Sequence, residues 1–102
     1  MTTQDSQPND IAYVTVVESP ACHLCTDAQG ALAELASSYP LVVGTVDIRS
    51  SMGMLLVQKH HASMSPLVLL DGEFFSHGRL PRRKLANRLH HRFGEPADTR
   101  AV

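Results

Sequence analysis

Cysteine occurs only twice in this sequence, and no apolar run approaches the ~18 residues that a membrane-spanning helix needs. Neither sign of charge dominates: nine Lys/Arg against ten Asp/Glu leave a formal net charge of -1. A dedicated nucleic-acid binder would show a basic excess, so that class is set aside. Residues 1–10 are polar and lack the basic and apolar regions of a signal peptide. No internal repeat, low-complexity segment or second cysteine pair is present. The absences leave a single 102-residue domain with no membrane role, expected in the cytoplasm.

What is there centres on Ser19 to Ala28. Cys22 and Cys25 lie within it at the spacing C-x-x-C. In a reducing compartment such a pair is catalytic or metal-binding more often than structural. Two residues between the thiols also close too small a loop for an effective staple. The spacing reads as a redox motif when a βαβ pattern surrounds it.

That pattern is legible. Ala12 to Glu18 is a short β-branched run and predicts a buried strand, which Pro20 ends. From Cys22 the period changes: Leu24, Ala28, Ala31, Leu32 and Leu35 make one face of a helix. Gly30 within it suggests close packing on a sheet. Ser37 to Pro40 stops the helix. Leu41 to Ile48 is nearly continuous in apolar character, as in a strand covered on both faces.

A short helix over 50–60 follows, capped by Ser50 or Ser51. After Pro66, two apolar runs flank Asp71-Gly72 and predict a hairpin. A last helix begins near Pro81, carries Leu85, Leu89 and Phe93 as its stripe, and ends at Gly94. The domain is therefore read over 11–94, between tails at 1–10 and 95–102. The order β-α-β-α-β-β-α, with C-x-x-C opening the first helix, is an α/β plan: the thioredoxin fold with a central four-stranded mixed sheet.

With these residues in place, the chain resembles the thioredoxin superfamily, and within it the small glutaredoxin-like proteins whose motif reads C-H-L-C. The likeness runs from about residue 12 to residue 92. It rests on Pro20-Ala-Cys-His-Leu-Cys25, the strand end Val46-Asp47-Ile48, Ser65-Pro66, and Asp71-Gly72 followed by Gly78-Arg79-Leu80. The resemblance implies a thiol-disulfide oxidoreductase that reduces protein or glutathione mixed disulfides. Cys22 would be the exposed nucleophile and Cys25 the buried resolving thiol. Pro66 would be a cis proline facing them, with Ser65 presenting backbone groups to substrate and Gly78 near the substrate groove. The sequence departs from the family pattern in three places. Val16 stands where thioredoxins carry a buried acid, His23-Leu24 separates the cysteines, and His77-Gly78 replaces a glycine pair; tryptophan is missing altogether.

The chemistry explains the motif's position. Only a thiolate attacks a disulfide, and a helix N-terminus favours an anion through its unpaired N–H groups and dipole. Bringing an ordinary thiol to ionisation near neutral pH takes roughly 2 kcal/mol of thiolate preference. A protonated His23 would add to it; the plainer reading leaves His23 facing solvent, and both stay open. His23 and Leu24, with Ser65, Pro66, Gly78 and Arg79, make up the expected substrate-binding set. No bound cofactor or metal is expected, with glutathione a candidate co-substrate. The partners implied are a disulfide-containing client and a reductant, either glutathione or a thioredoxin-reductase-like enzyme, and the protein is read as a monomer.

Two other readings stand beside this one. Cys22 and Cys25 with His23, His60 or His61 offer Zn²⁺ three or four ligands, although no H-x₃₋₅-H pair accompanies them; a bridging Fe–S cluster occurs among glutaredoxin relatives. A thioredoxin-like interaction module without turnover is the other. Glu18 reads as an exposed strand end or, in place of the missing buried acid, a proton acceptor; Asp47 reads as structural, and Met52, Met54 and Met64 as residues that fill the core or line the groove. Six of the nine Lys/Arg residues fall between Arg79 and Arg92. They are the solvated face of the last helix or a docking patch for an acidic partner.

Overall fold

In the computed structural model, residues 11–95 are described. The predicted tails fall outside that range except for Glu95. Seven elements follow in the predicted order: β1 (Ala12–Glu18), α1 (His23–Ala36), β2 (Leu41–Asp47), α2 (Ser51–His60), β3 (Leu67–Leu70), β4 (Glu73–His77) and α3 (Arg82–Phe93). The strands form one mixed sheet in the order β2-β1-β3-β4. β1 runs parallel to β2 and antiparallel to β3, which pairs antiparallel with β4.

Strand alternation sorts the core into two layers. Ala12, Val14 and Val16 of β1 face Ala28, Ala31 and Leu32 of α1 and Leu85 and Leu89 of α3, joined by Val68, Phe75 and Leu80. The opposite face holds a smaller cluster, Val17, Leu67 and Leu69, closed by Leu56 and Val57 of α2 with Val46, Ile48 and Ala62. Two helices thus cover one face and a single short helix the other.

That imbalance corrects the reading of β2 as a strand covered on both faces. β2 is an edge strand, and Val42 is 47% exposed beside its cross-strand partner Tyr13 at 55%. Ten helical residues span about 15 Å. α2 is gathered over the Val17–Val46–Leu67 end of the sheet and leaves the Tyr13–Val42 end bare. Met52 and Met54 on α2 are more than half exposed, so they do not fill the core.

The hairpin forms as its sequence demands. Asp71 (φ 52°) and Gly72 (φ 85°) both take positive φ, the signature of a two-residue type I′ turn. Asp71 also ties three elements together. Its N–H donates to the Tyr13 carbonyl at 2.7 Å, and its carboxylate accepts from the Tyr13 N–H at 3.0 Å and from the Arg92 side chain. Arg92 reaches further, to the Ile11 carbonyl at 2.8 Å. A β-bulge at Phe75 shifts the β3–β4 register, so Phe75 and Ser76 are both buried.

Gly30 does not serve the packing its sequence position suggested. It sits on the exposed side of α1, with nothing within 4 Å of where a Cβ would stand. Glycine there only raises the entropic cost of forming the helix. Gly30→Ala is accordingly expected to stabilise the protein by about 0.5–1 kcal/mol, read as a raised midpoint in thermal or denaturant unfolding.

Candidate active site

β1 ends at Glu18, and the chain turns through Ser19 and Pro20 into Ala21, whose φ of 51° lies in the left-handed region. The turn delivers Cys22 to the N-cap of α1, in extended conformation. An N-cap side chain normally accepts from an N–H of the first turn. Here the acceptor is sulfur: Cys22 Sγ receives the Cys25 N–H at 3.1 Å. Cys22 and Cys25 form a disulfide with their Cα atoms 5.2 Å apart. Their environments differ. Cys22 is half-buried, whereas Cys25 is 4% exposed and counted in the core. No acidic side chain stands in the first turn of α1 to oppose a negative sulfur.

The Ser65–Pro66 bond is cis. Leu67 pairs with Val17 across the β1–β3 ladder, which sets Pro66 beside Glu18, where β1 turns toward Cys22. The Pro66 carbonyl accepts the Gly78 N–H at 3.0 Å. Gly78 has φ of +80°, and a Cβ there would stand 3.1 Å from Cε of Met64 and 3.3 Å from its Sδ. The positive φ is what favours glycine at this point, since the exposed thioether end of Met64 is free to shift. Met64, 54% exposed, therefore lies over Gly78 next to the proline.

Arg79 and Arg82 reach from the start of α3 to Asp27 of α1. Arg82 bonds Asp27 Oδ1 at 2.7 Å, and Arg79 stands 4.0 Å from Oδ2, an atom that is buried and without a hydrogen bond. Beneath α1, Glu18 is half-buried instead of free at a strand end. Its carboxylate accepts from Gln29 Nε2 at 2.8 Å, and Gln29 also reaches Thr45 Oγ1 at 3.2 Å. Asp47 shapes the β2–α2 turn, as expected of a structural residue. The Arg49 side chain and backbone N–H, both donating to its carboxylate, hold its pKa down to about 2.

The fold thus gathers most of the predicted residues at one end of the sheet. Cys22, Cys25, Leu24, Ser65, Pro66 and Gly78 are half or fully buried there, while His23 opens α1 and is exposed. His60 goes elsewhere, its ring stacked 6.4 Å from that of Phe74. Among the described residues, no three of His, Cys, Asp and Glu converge as metal ligands. Sequence reasoning missed Asp27 and Arg82: they are 55 residues apart, and nothing local marks them as partners. Met64, expected in the core or lining the groove, is not in the core: it is exposed beside Gly78 and Ser65-Pro66.

No family model matches the sequence, and no curated protein matches it. Solved structures do. A mutant thioredoxin from Halobacterium salinarum NRC-1 superposes with a TM-score of 0.61 at 17% identity, over 87% of this chain and 80% of its own. An uncharacterized thioredoxin-like protein from Clostridium perfringens gives 0.62 at 12% identity, over 88% of this chain and 77% of its own. The chain has the thioredoxin fold, with a C-x-x-C pair at disulfide distance where the first helix begins. Among the described residues, no helix is long and apolar enough to cross a membrane.

Proposed function

We propose that this protein is a thiol-disulfide oxidoreductase in which Cys22 attacks and Cys25 resolves. The observation that carries the reading is the inequality of the two sulfurs. Cys22 sits half-buried at a helix N-cap with an N–H aimed at its sulfur, and Cys25 is fully buried one turn on. The cap and the helix dipole favour a thiolate at Cys22 in the reduced protein.

In the reaction the Cys22 thiolate bonds to one sulfur of a client disulfide, and the other sulfur departs as a thiolate that takes up a proton. Cys25, having lost its proton, then attacks Cys22 Sγ and releases the second client sulfur. The client gains two electrons and two protons, and the protein is left with the Cys22–Cys25 disulfide. An external dithiol, or two molecules of glutathione, returns both electrons and protons.

His23, Leu24, Ser65, Pro66, Gly78 and Arg79 make up the surface over which the client lies, and Met64 belongs with them. The client is a disulfide-bearing protein in the cytoplasm, the supply is glutathione or a reductase-type enzyme, and the protein works as a monomer without a bound cofactor. Insulin is a convenient probe. With dithiothreitol as the supply, the full-length protein is expected to speed precipitation of the insulin B chain well above the rate of dithiothreitol alone. An unchanged rate, together with stoichiometric zinc in the purified protein, would favour the metal-binding alternative instead.

A further inference from the structure

The charge on α3 is one-sided and of one sign. Arg83, Lys84, Asn87, Arg88 and His91 line an open groove of about 520 Å³ along the helix, and no acidic side chain lies among them. Arg82, outside the groove, is engaged by Asp27. No carboxylate of the described residues comes within ion-pair distance of Arg83, Lys84 or Arg88.

This arrangement works against the helix that carries it. Three cations, Arg82, Arg83 and Lys84, occupy the first turn, where the helix dipole favours anions. The N-cap is Pro81, which supplies no side-chain hydrogen bond. Lys84 and Arg88 are like charges four residues apart. Both are nevertheless drawn over one buried ring, with Lys84 Nζ 5.0 Å and Arg88 Cζ 5.4 Å from the centre of Phe75. Local preference is overridden from Arg83 to Arg88, a pattern met where function competes with stability.

We infer that this stripe docks an acidic segment of a protein partner. From Arg83 to His91 the helix rises about 12 Å, a little over two turns, which suits carboxylates spaced along two turns of a facing helix. Nucleic acid fits less well. The phenylalanine of the stripe, Phe75, is buried beneath the cations and offers no face for bases to stack on, and the chain's net charge of -1 shows no basic excess. The stripe begins next to Arg82, whose partner Asp27 lies five residues beyond Cys22. The role of the docking, bringing a client or reductant to Cys22, rests on the proposed oxidoreductase reading; the binding itself does not.

The test uses the full chain and two labelled, cysteine-free helical peptides that differ only in carrying four glutamates or four glutamines. By fluorescence anisotropy at low salt, the glutamate peptide is expected to bind about tenfold tighter, with the advantage lost as salt rises to several hundred millimolar. The combined Arg83→Gln, Lys84→Gln, Arg88→Gln variant should lose that preference. It should melt close to the parent, the like charges it removes offsetting the two cation–π contacts it loses, and an Arg83→Lys, Arg88→Lys variant should keep the preference. Equal affinity for the two peptides, an unaltered preference in the glutamine variant, or tighter binding of a single-stranded oligonucleotide would overturn the inference. Disulfide-bearing versions of both peptides separate the two readings. A lower KM for the glutamate version at similar kcat supports docking toward Cys22. Binding of the glutamate peptide with no turnover of either version upholds the stripe and refutes the oxidoreductase.

Discussion

Cys22→Ser is expected to lower disulfide reduction by at least about a thousandfold, because a serine hydroxyl is no nucleophile near neutral pH. Cys25→Ser should behave differently. Its Cys22 can still attack, but nothing within the protein resolves the product, so a client or glutathione adduct accumulates on Cys22 and appears by mass spectrometry as a mixed disulfide. In the proposed reaction the burial of Cys25, 4% exposed, would make the order of events one-way, with a client sulfur meeting Cys22 first. The opposite result, an adduct on Cys25 in Cys22→Ser and none in the converse variant, would reverse the assignment. Because some glutathione adducts are reduced through one thiol alone, the Cys25 variant also separates the two mechanisms. Residual turnover with glutathione and none with dithiol substrates marks the monothiol route.

Gly53→Ala should cost roughly 2 kcal/mol of stability, in the range found for overpacked interiors. Gly53 lies in the first turn of α2, and a Cβ there would stand 2.8 Å from the Ile48 Cα and closer still to the Asp47 carbonyl oxygen. Neither atom is free to retreat. The Asp47 carbonyl accepts from the Ser50 N–H at 2.9 Å and from Ser50 Oγ at 2.6 Å, while the Ile48 N–H donates to Glu18 at 2.8 Å. The helix must move instead, which strains the cap from Ser50 Oγ to the Gly53 N–H. It also draws Leu56 and Val57 off Val17, Leu67 and Leu69, the smaller of the two buried clusters. Denaturant unfolding measures the loss. A change of sign, matching the gain expected at Gly30, would show that α2 is not seated as described.

The contrast between these two glycines shows what the sequence could and could not disclose. Both interrupt helical patterns and look alike in a linear reading. One faces solvent and the other a backbone carbonyl, and only the three-dimensional path of the β2–α2 turn tells them apart. Features set by neighbouring residues were legible: the C-x-x-C at a strand-to-helix junction, Asp71-Gly72 as a hairpin turn, and Gly94 ending α3. Strand position was not. The apolar run of β2 says that it pairs, but its edge place is set by the strand order, and its bare side by α2 being too short to cover the Tyr13–Val42 end. Contacts between distant elements were hidden as well. Asp27 is drawn to Arg82, and Glu18 is held under α1 by Gln29, through the packing of helices on the sheet. The candidate site was half legible, because Ser65-Pro66 and Gly78 belong to a recognisable pattern while the contact of Met64 with Gly78 emerges only in three dimensions.

The central claim, that Cys22 and Cys25 are a working redox couple, is tested most directly by the reduction potential of the pair. Equilibrating the full-length protein in glutathione buffers and trapping the thiols by alkylation gives it. A working couple is expected to lie between about -270 mV, as in thioredoxin, and about -200 mV, as in glutaredoxins. A value below about -300 mV would mark a disulfide that the glutathione pool cannot open, and would contradict the claim.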